Sequence, residues 1–122
     1  SRGDLLFRGN LFHVLGIQHP RDKKKVFCSI KLNNECVATS GDYNQFYGSY
    51  EVSHILNRDE DVISTTVIAS SLEDADLFAS ILFVANRTER SKIMLNHKKI
   101  KALVIKKNLN SEFYNNFEKI II

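Results

Sequence analysis

Residues 25–32 (KVFCSIKL) alternate apolar and polar, placing Val26, Cys28, Ile30 and Leu32 on one face of a half-buried strand. Residues 35–39 are expected to return beside it across a turn at Leu32-Asn33-Asn34. Upstream, 4–9 and 11–17 predict two short strands. Downstream, 51–56 and 62–69 predict another strand pair separated by the polar segment NRDED. The stretch VISTTVIA is rich in β-branched residues, which suit a pleated sheet and not a helix.

The period then changes. Ser70-Ser71-Leu72-Glu73 reads as a capping box, with Ser70 accepting from the amide of residue 73 and Glu73 reaching back. A helix follows to about Val84. It is apolar nearly all the way round (Leu72, Ala75, Leu77, Phe78, Ala79, Ile81, Leu82, Phe83), which predicts a buried helix. A second helix is expected over about 88–96 and a strand over 101–107, with a short helix or strand from 111. Strands, two helices, then a strand predict an α+β fold, a mainly antiparallel sheet with two helices packed on it. The 122 residues fit one domain, 1–122, and not two full-sized ones.

Composition narrows the partners. With 43% hydrophobic residues the chain can supply a core, and 25% charged residues is ordinary for a soluble protein. A net charge of +3 does not argue for nucleic acid, because the lysines at 23–25 and at 98, 99 and 101 lack interleaved aromatics. No apolar run approaches the roughly 20 residues that span a bilayer, so no transmembrane segment is expected. The start, SRGDLLFRGN, does not read as a signal peptide. Cys28 and Cys36 flank the expected turn and either pair across it or stay as two half-buried thiols. They lack the second Cys/His pair that a zinc site requires.

Few residues carry candidate chemistry. Asp76 and Ser80 are the polar exceptions in the first helix after its first turn. Four residues apart, they share one face and can offer a carboxylate and a hydroxyl oxygen to a hard cation such as Mg2+; they also fit an exposed stripe with Glu73. Thr39-Ser40-Gly41 at a strand exit either lets the backbone approach a phosphate or is simply a turn. His54, between Val52 and Ile55, is a candidate general acid or base, or a packed strand histidine. Asp42, Tyr43 and Tyr47 either cover a planar ligand or pack.

Taken in order, ATSGDY, SHI, TTVIA, and ADLFAS followed by ILFV resemble the successive C-terminal motifs of the ApbE family of FAD:protein FMN transferases. Upstream, GDLLFRGN resembles that family's Gly-Asp strand, and Ile17-Gln18-His19-Pro20 its Ile-x-x-Pro segment. The resemblance covers nearly the whole chain, and its specificity lies in the ordered set.

The resemblance implies binding of FAD and Mg2+ and transfer of FMN to a Thr or Ser hydroxyl of a flavin-acceptor protein, with release of AMP. Asp76 matches the metal-binding aspartate, and Ser80 stands where the family has a metal-binding threonine. His54 matches the histidine near the reacting phosphate, so it is expected near Thr39, Ser40 and Gly41, which match the nucleotide-site turn. The chain resembles one T-fold-like half of such a protein, so an N-terminal half or a second copy is an expected partner. A cell-envelope or periplasmic setting is suggested by the family alone.

Three departures stand out. After His54-Ile55 the family continues toward Pro-Arg-Thr-Gly, whereas this chain reads Leu56-Asn57-Arg58-Asp59-Glu60-Asp61, adding acids beside an anionic ligand. Ser replaces Thr at 80, and family members are considerably longer; Arg2 also stands where a Gly is usual. Two rival readings stay open: a non-catalytic domain with a weak nucleotide or metal site, and a structural module that self-associates through its sheet edges.

Overall fold

The structure, a computed structural model, describes residues 5–6, 13–41 and 61–122. The strands are β1 (Leu5–Leu6), β2 (His13–Gln18), β3 (Val26–Leu32), β4 (Cys36–Gly41), β5 (Val62–Ala69), β6 (Lys101–Lys106) and β7 (Ser111–Tyr114). The helices are α1 (Leu72–Val84) and α2 (Arg87–Leu95), and a 3-10 turn covers Phe117–Ile120. One antiparallel sheet runs β1-β4-β5-β6-β7, and β2 and β3 form a separate two-stranded ribbon. The α+β class and the antiparallel sheet agree with the sequence reading.

Three layers result. On one face of the main sheet α1 and α2 enclose Cys36, Ala38, Val67, Ala69, Ala75, Ala79, Leu82, Met94, Ile100 and Ala102. On the other face the ribbon and the C-terminal turn enclose Ile17, Ile30, Leu32, Val37, Ile63, Ile68, Leu103, Ile105 and Phe117. Covered on both sides, β5 is buried at all eight positions, so its alternation is between two apolar layers and not between core and solvent.

The expected pairing of 25–32 with 35–39 does not form. β3 pairs with β2, from His13↔Leu32 to Gln18↔Val26, while β4 pairs with β1 and β5. Between them the chain changes layer through Asn34, whose φ of 56° is the left-handed conformation that Asn tolerates. Cys28 and Cys36 therefore pack in different layers and form no disulfide. The C-terminus closes the ribbon side: Ile30 bridges Ile121, and the Ile122 amide donates to the Ser29 carbonyl at 2.9 Å.

Two helix expectations are also corrected. The cap of α1 is Ser71, whose hydroxyl accepts from the Asp74 amide at 3.1 Å; Ser70 still belongs to the strand exit, where its carbonyl accepts from Cys36 Sγ. α1 is not buried all round. Ala75, Ala79, Leu82 and Phe83 face the sheet, but Leu77 is 53% exposed, because only one stripe of a helix lying on a sheet can be covered. α2 starts one residue earlier than expected, in a reciprocal capping box between Asn86 and Glu89 at 2.9 Å in both directions. The expected strand 51–56 lies outside the described residues.

Candidate functional site

Thr39, Ser40 and Gly41 are not a turn. They are the last three residues of β4 and pair with Thr66, Thr65 and Ser64 of β5. Three small residues read as a turn in isolation, yet the neighbouring strand supplies ladder partners for each. Alternation then separates them. Cys36 and Ala38 face the helices and Val37 faces the ribbon, so Ser40 projects to the helix side and Thr39 to the ribbon side. Thr39 Oγ1 lies 3.1 Å from Thr66 Oγ1 in a hydroxyl pair on that ribbon side.

α1 lies across β4 and β5. Phe78 on one flank meets the His97 ring in the α2–β6 connection, with centroids 4.7 Å apart. At about 100° per residue, Asp76 sits roughly opposite Phe78, on the flank away from α2. In the strand order that flank is the β4 side. Asp76 and Ser80 are both exposed there, one helical turn apart, on the same side of the sheet as Ser40.

Thr65 joins the two parts. It is fully buried, its Oγ1 donates to the Ala79 carbonyl at 2.7 Å, and it is the cross-strand partner of Ser40. Sequence reading passed over it because a threonine inside VISTTVIA reads as strand propensity alone.

Thr39–Gly41, Asp76 and Ser80 are thus placed on neighbouring elements. His54, Asp42, Tyr43 and Tyr47 lie outside the described residues, as do Asn57 to Glu60. Of the expected acids, Asp61 is described: exposed at the head of β5, its carbonyl accepts from the Lys107 amide at 2.8 Å.

A second polar cluster was not foreseen. The Arg90 side chain is fully buried; its Nη1 donates to the Ala85 carbonyl at 3.0 Å, and its Nη2 to Glu112 Oε1 at 3.0 Å. Tyr114 donates to the same oxygen at 2.6 Å, and Lys106 Nζ lies 2.9 Å from Oε2. Burial alone would raise the Glu112 pKa, but hydrogen bonds from Tyr114, Lys106 and Arg90, with the Arg90 charge, hold it at about 2. Burial would lower Arg90, and the Tyr114 and Glu112 interactions reverse this into a rise. With Arg90, Tyr114 and Lys106 all meeting Glu112, this cluster ties α2 to β6 and β7. The Cys28 thiol is pushed up by burial, which disfavours its reactive thiolate.

Among the described residues no three or more His, Cys, Asp or Glu side chains converge on a possible metal position. Asp76 and Ser80 present a carboxylate and a hydroxyl one helical turn apart at exposed positions, oxygen donors of the type a hard cation such as Mg2+ accepts. Among the described residues no helix is long and apolar enough to cross a membrane.

The chain is 30% identical over 108 residues to the FAD:protein FMN transferase of Buchnera aphidicola subsp. Baizongia pistaciae, an alignment covering 82% of this chain and 31% of that protein. The fold is similar to the crystal structure of the ApbE protein from Thermotoga maritima, with a TM-score of 0.70 at 20% identity, covering 97% of this chain and 42% of that one. It is also similar to the flavin transferase ApbE from Vibrio cholerae, with a TM-score of 0.66 at 21% identity, covering 98% and 42% respectively. The chain thus spans about a third of the Buchnera protein's length and under half of either solved chain. The ApbE family profile matches residues 2–104, most of the sequence, and the chain belongs to the ApbE family.

Proposed function

We propose that this chain is the C-terminal portion, or a truncated relative, of a Mg2+-dependent FAD:protein FMN transferase. The reading rests on family membership and on one observation: Asp76 and Ser80 share an exposed flank of α1 on the side of β4 from which Ser40 projects. FAD is the substrate. The hydroxyl oxygen of an acceptor Thr or Ser attacks the FMN-side phosphorus and forms a phosphoester bond. The bond from that phosphorus to the bridging oxygen breaks, and AMP leaves with that oxygen. His54 is the candidate acceptor for the hydroxyl proton.

Phosphoryl transfer of this kind needs positioning and charge neutralisation more than covalent help from the protein. The Asp76 carboxylate and Ser80 hydroxyl would hold Mg2+, which when bound neutralises the charge that builds on the phosphate oxygens. Ser40 and Gly41, small and at the end of a strand, leave room for the pyrophosphate to approach the backbone.

A domain that keeps the fold but not the activity is the second reading. It is favoured by the acids Asp59, Glu60 and Asp61, which stand where the family pattern carries none. Exchange into the Buchnera transferase separates the two. A chimaera carrying this chain in place of the matching portion should raise the intact mass of an acceptor protein by one FMN in the presence of FAD and Mg2+. The same chimaera with Asp76→Asn should not. A folded chimaera that transfers nothing would favour the non-catalytic reading.

A further inference from the structure

We infer that Thr65 is a positioning residue that sets the Asp76–Ser80 flank of α1 against the Ser40 end of β4; this rests on the metal-site reading proposed above. The Thr65 hydroxyl donates to the Ala79 carbonyl at 2.7 Å in a fully buried setting. Ala79 lies between the two proposed ligands in sequence, three residues after Asp76 and one before Ser80. Its carbonyl already serves the regular helical bond four residues on, so the Thr65 bond is an additional tether from the sheet to that one turn. Ala75 and Ala79 are fully buried and carry only a methyl group, which lets the turn lie close to β5.

On its other side Thr65 is the cross-strand partner of Ser40. Residues so paired hold their Cβ atoms about 5 Å apart. One side chain therefore links the helix turn bearing both candidate ligands to the strand end bearing the candidate phosphate contact. Neighbouring Thr66 has no such role toward α1, because its hydroxyl pairs with Thr39 on the opposite face of the sheet. A tether of this kind matters for a cation held by two oxygens of one helical turn, since a small rotation of the turn separates both from the phosphate side.

Mn2+, a hard cation with the same preference for oxygen ligands, is the probe, and its affinity for the whole chain can be read by electron paramagnetic resonance. Thr65→Ala and Thr65→Ser both remove the methyl group and differ only in the hydroxyl. Thr65→Ser should bind Mn2+ within about twofold of the parent. Thr65→Ala and the isosteric Thr65→Val should bind roughly three- to tenfold more weakly, the equivalent of one net hydrogen bond. Amide hydrogen exchange at residues 79–83 should quicken in the Ala and Val variants and not in Ser. Equal affinity in the Ala and Ser variants, with Asp76→Asn still abolishing binding, overturns the role of Thr65 alone. Binding by the parent that is absent or indifferent to Asp76→Asn overturns the metal reading and this inference with it.

Discussion

Arg90 and Glu112 form a part-buried ion pair between α2 and β7, Nη2 to Oε1 at 3.0 Å, with the arginine side chain wholly shielded from solvent. The two partners are not equivalent. Glu112 also receives Tyr114 and Lys106, so it keeps two donors if Arg90 is lost. Arg90 also donates to the Ala85 carbonyl at 3.0 Å. Glu112→Ala is expected to cost about 3–5 kcal/mol, because it removes the one carboxylate that serves Arg90, Tyr114 and Lys106 together, whereas Arg90→Met should cost about 1–2 kcal/mol. Urea denaturation of the two variants checks the order, and a larger loss in Arg90→Met would contradict it.

Acid should weaken the fold through the same group. The folded Glu112 pKa of about 2 lies below its ordinary 4.5. Its contribution is therefore complete above about pH 4.5 and falls away as pH drops toward 2, when the unfolded chain binds the proton first. The loss over that window is on the order of 3 kcal/mol. Stability measured against pH should show this slope in the parent and lack it in Glu112→Gln.

Asn115 is expected to be the most sensitive exposed-side turn residue. Its side-chain nitrogen shares two N–H donors among the carbonyls of Met94, His97 and Ile100 at 3.0, 3.0 and 2.8 Å, joining the end of α2 to the turn after β7. Its φ of 57° also favours Asn over most residues. Asn115→Ala should destabilise by about 2 kcal/mol. A thermal or urea measurement showing no change would mean that water replaces the amide at all three carbonyls.

FAD binding by this chain alone should be weak. The chain covers 42% of each solved relative, and a dinucleotide pocket normally encloses most of its ligand. The acids Asp59, Glu60 and Asp61 add like charge, worth on the order of 1–4 kcal/mol near a phosphate, or roughly a ten- to thousandfold loss of affinity. Flavin fluorescence titration with Mg2+ tests this. Replacing the three acids with their amides should tighten binding, and tight one-to-one binding by the unaltered chain would contradict the prediction.

Local pattern revealed the elements better than their neighbours. VISTTVIA reads as a strand and is one, and residues 72–84 read as a helix and are one, because both signals lie within a few residues. The β3–β4 hairpin failed for a different reason. Alternation shows that a strand has a covered face but not which strand covers its edge, and β3 turned back to β2 while β4 entered the other layer. Thr39–Gly41 looked like a turn because the register with Ser64–Thr66 is non-local. Counting apolar residues made α1 seem buried all round, since a count does not reveal that Leu77 faces outward. The Asp76–Ser80 spacing was legible, as it needs only the helical period. The Thr65–Ala79 bond was not, because it depends on how α1 lies on the sheet.

The proposed metal site is tested most directly by mapping Mn2+ on the folded chain. In a two-dimensional amide NMR spectrum, substoichiometric Mn2+ broadens resonances near the ion. The account predicts broadening centred on Asp76, Ser80 and Ser40, abolished by Asp76→Asn and only weakened by Ser80→Ala, since the first removes a charge and the second a dipole. Both substitutions are at exposed positions and should change stability by less than about 0.5 kcal/mol. Broadening centred elsewhere, or unchanged by Asp76→Asn, would contradict the account.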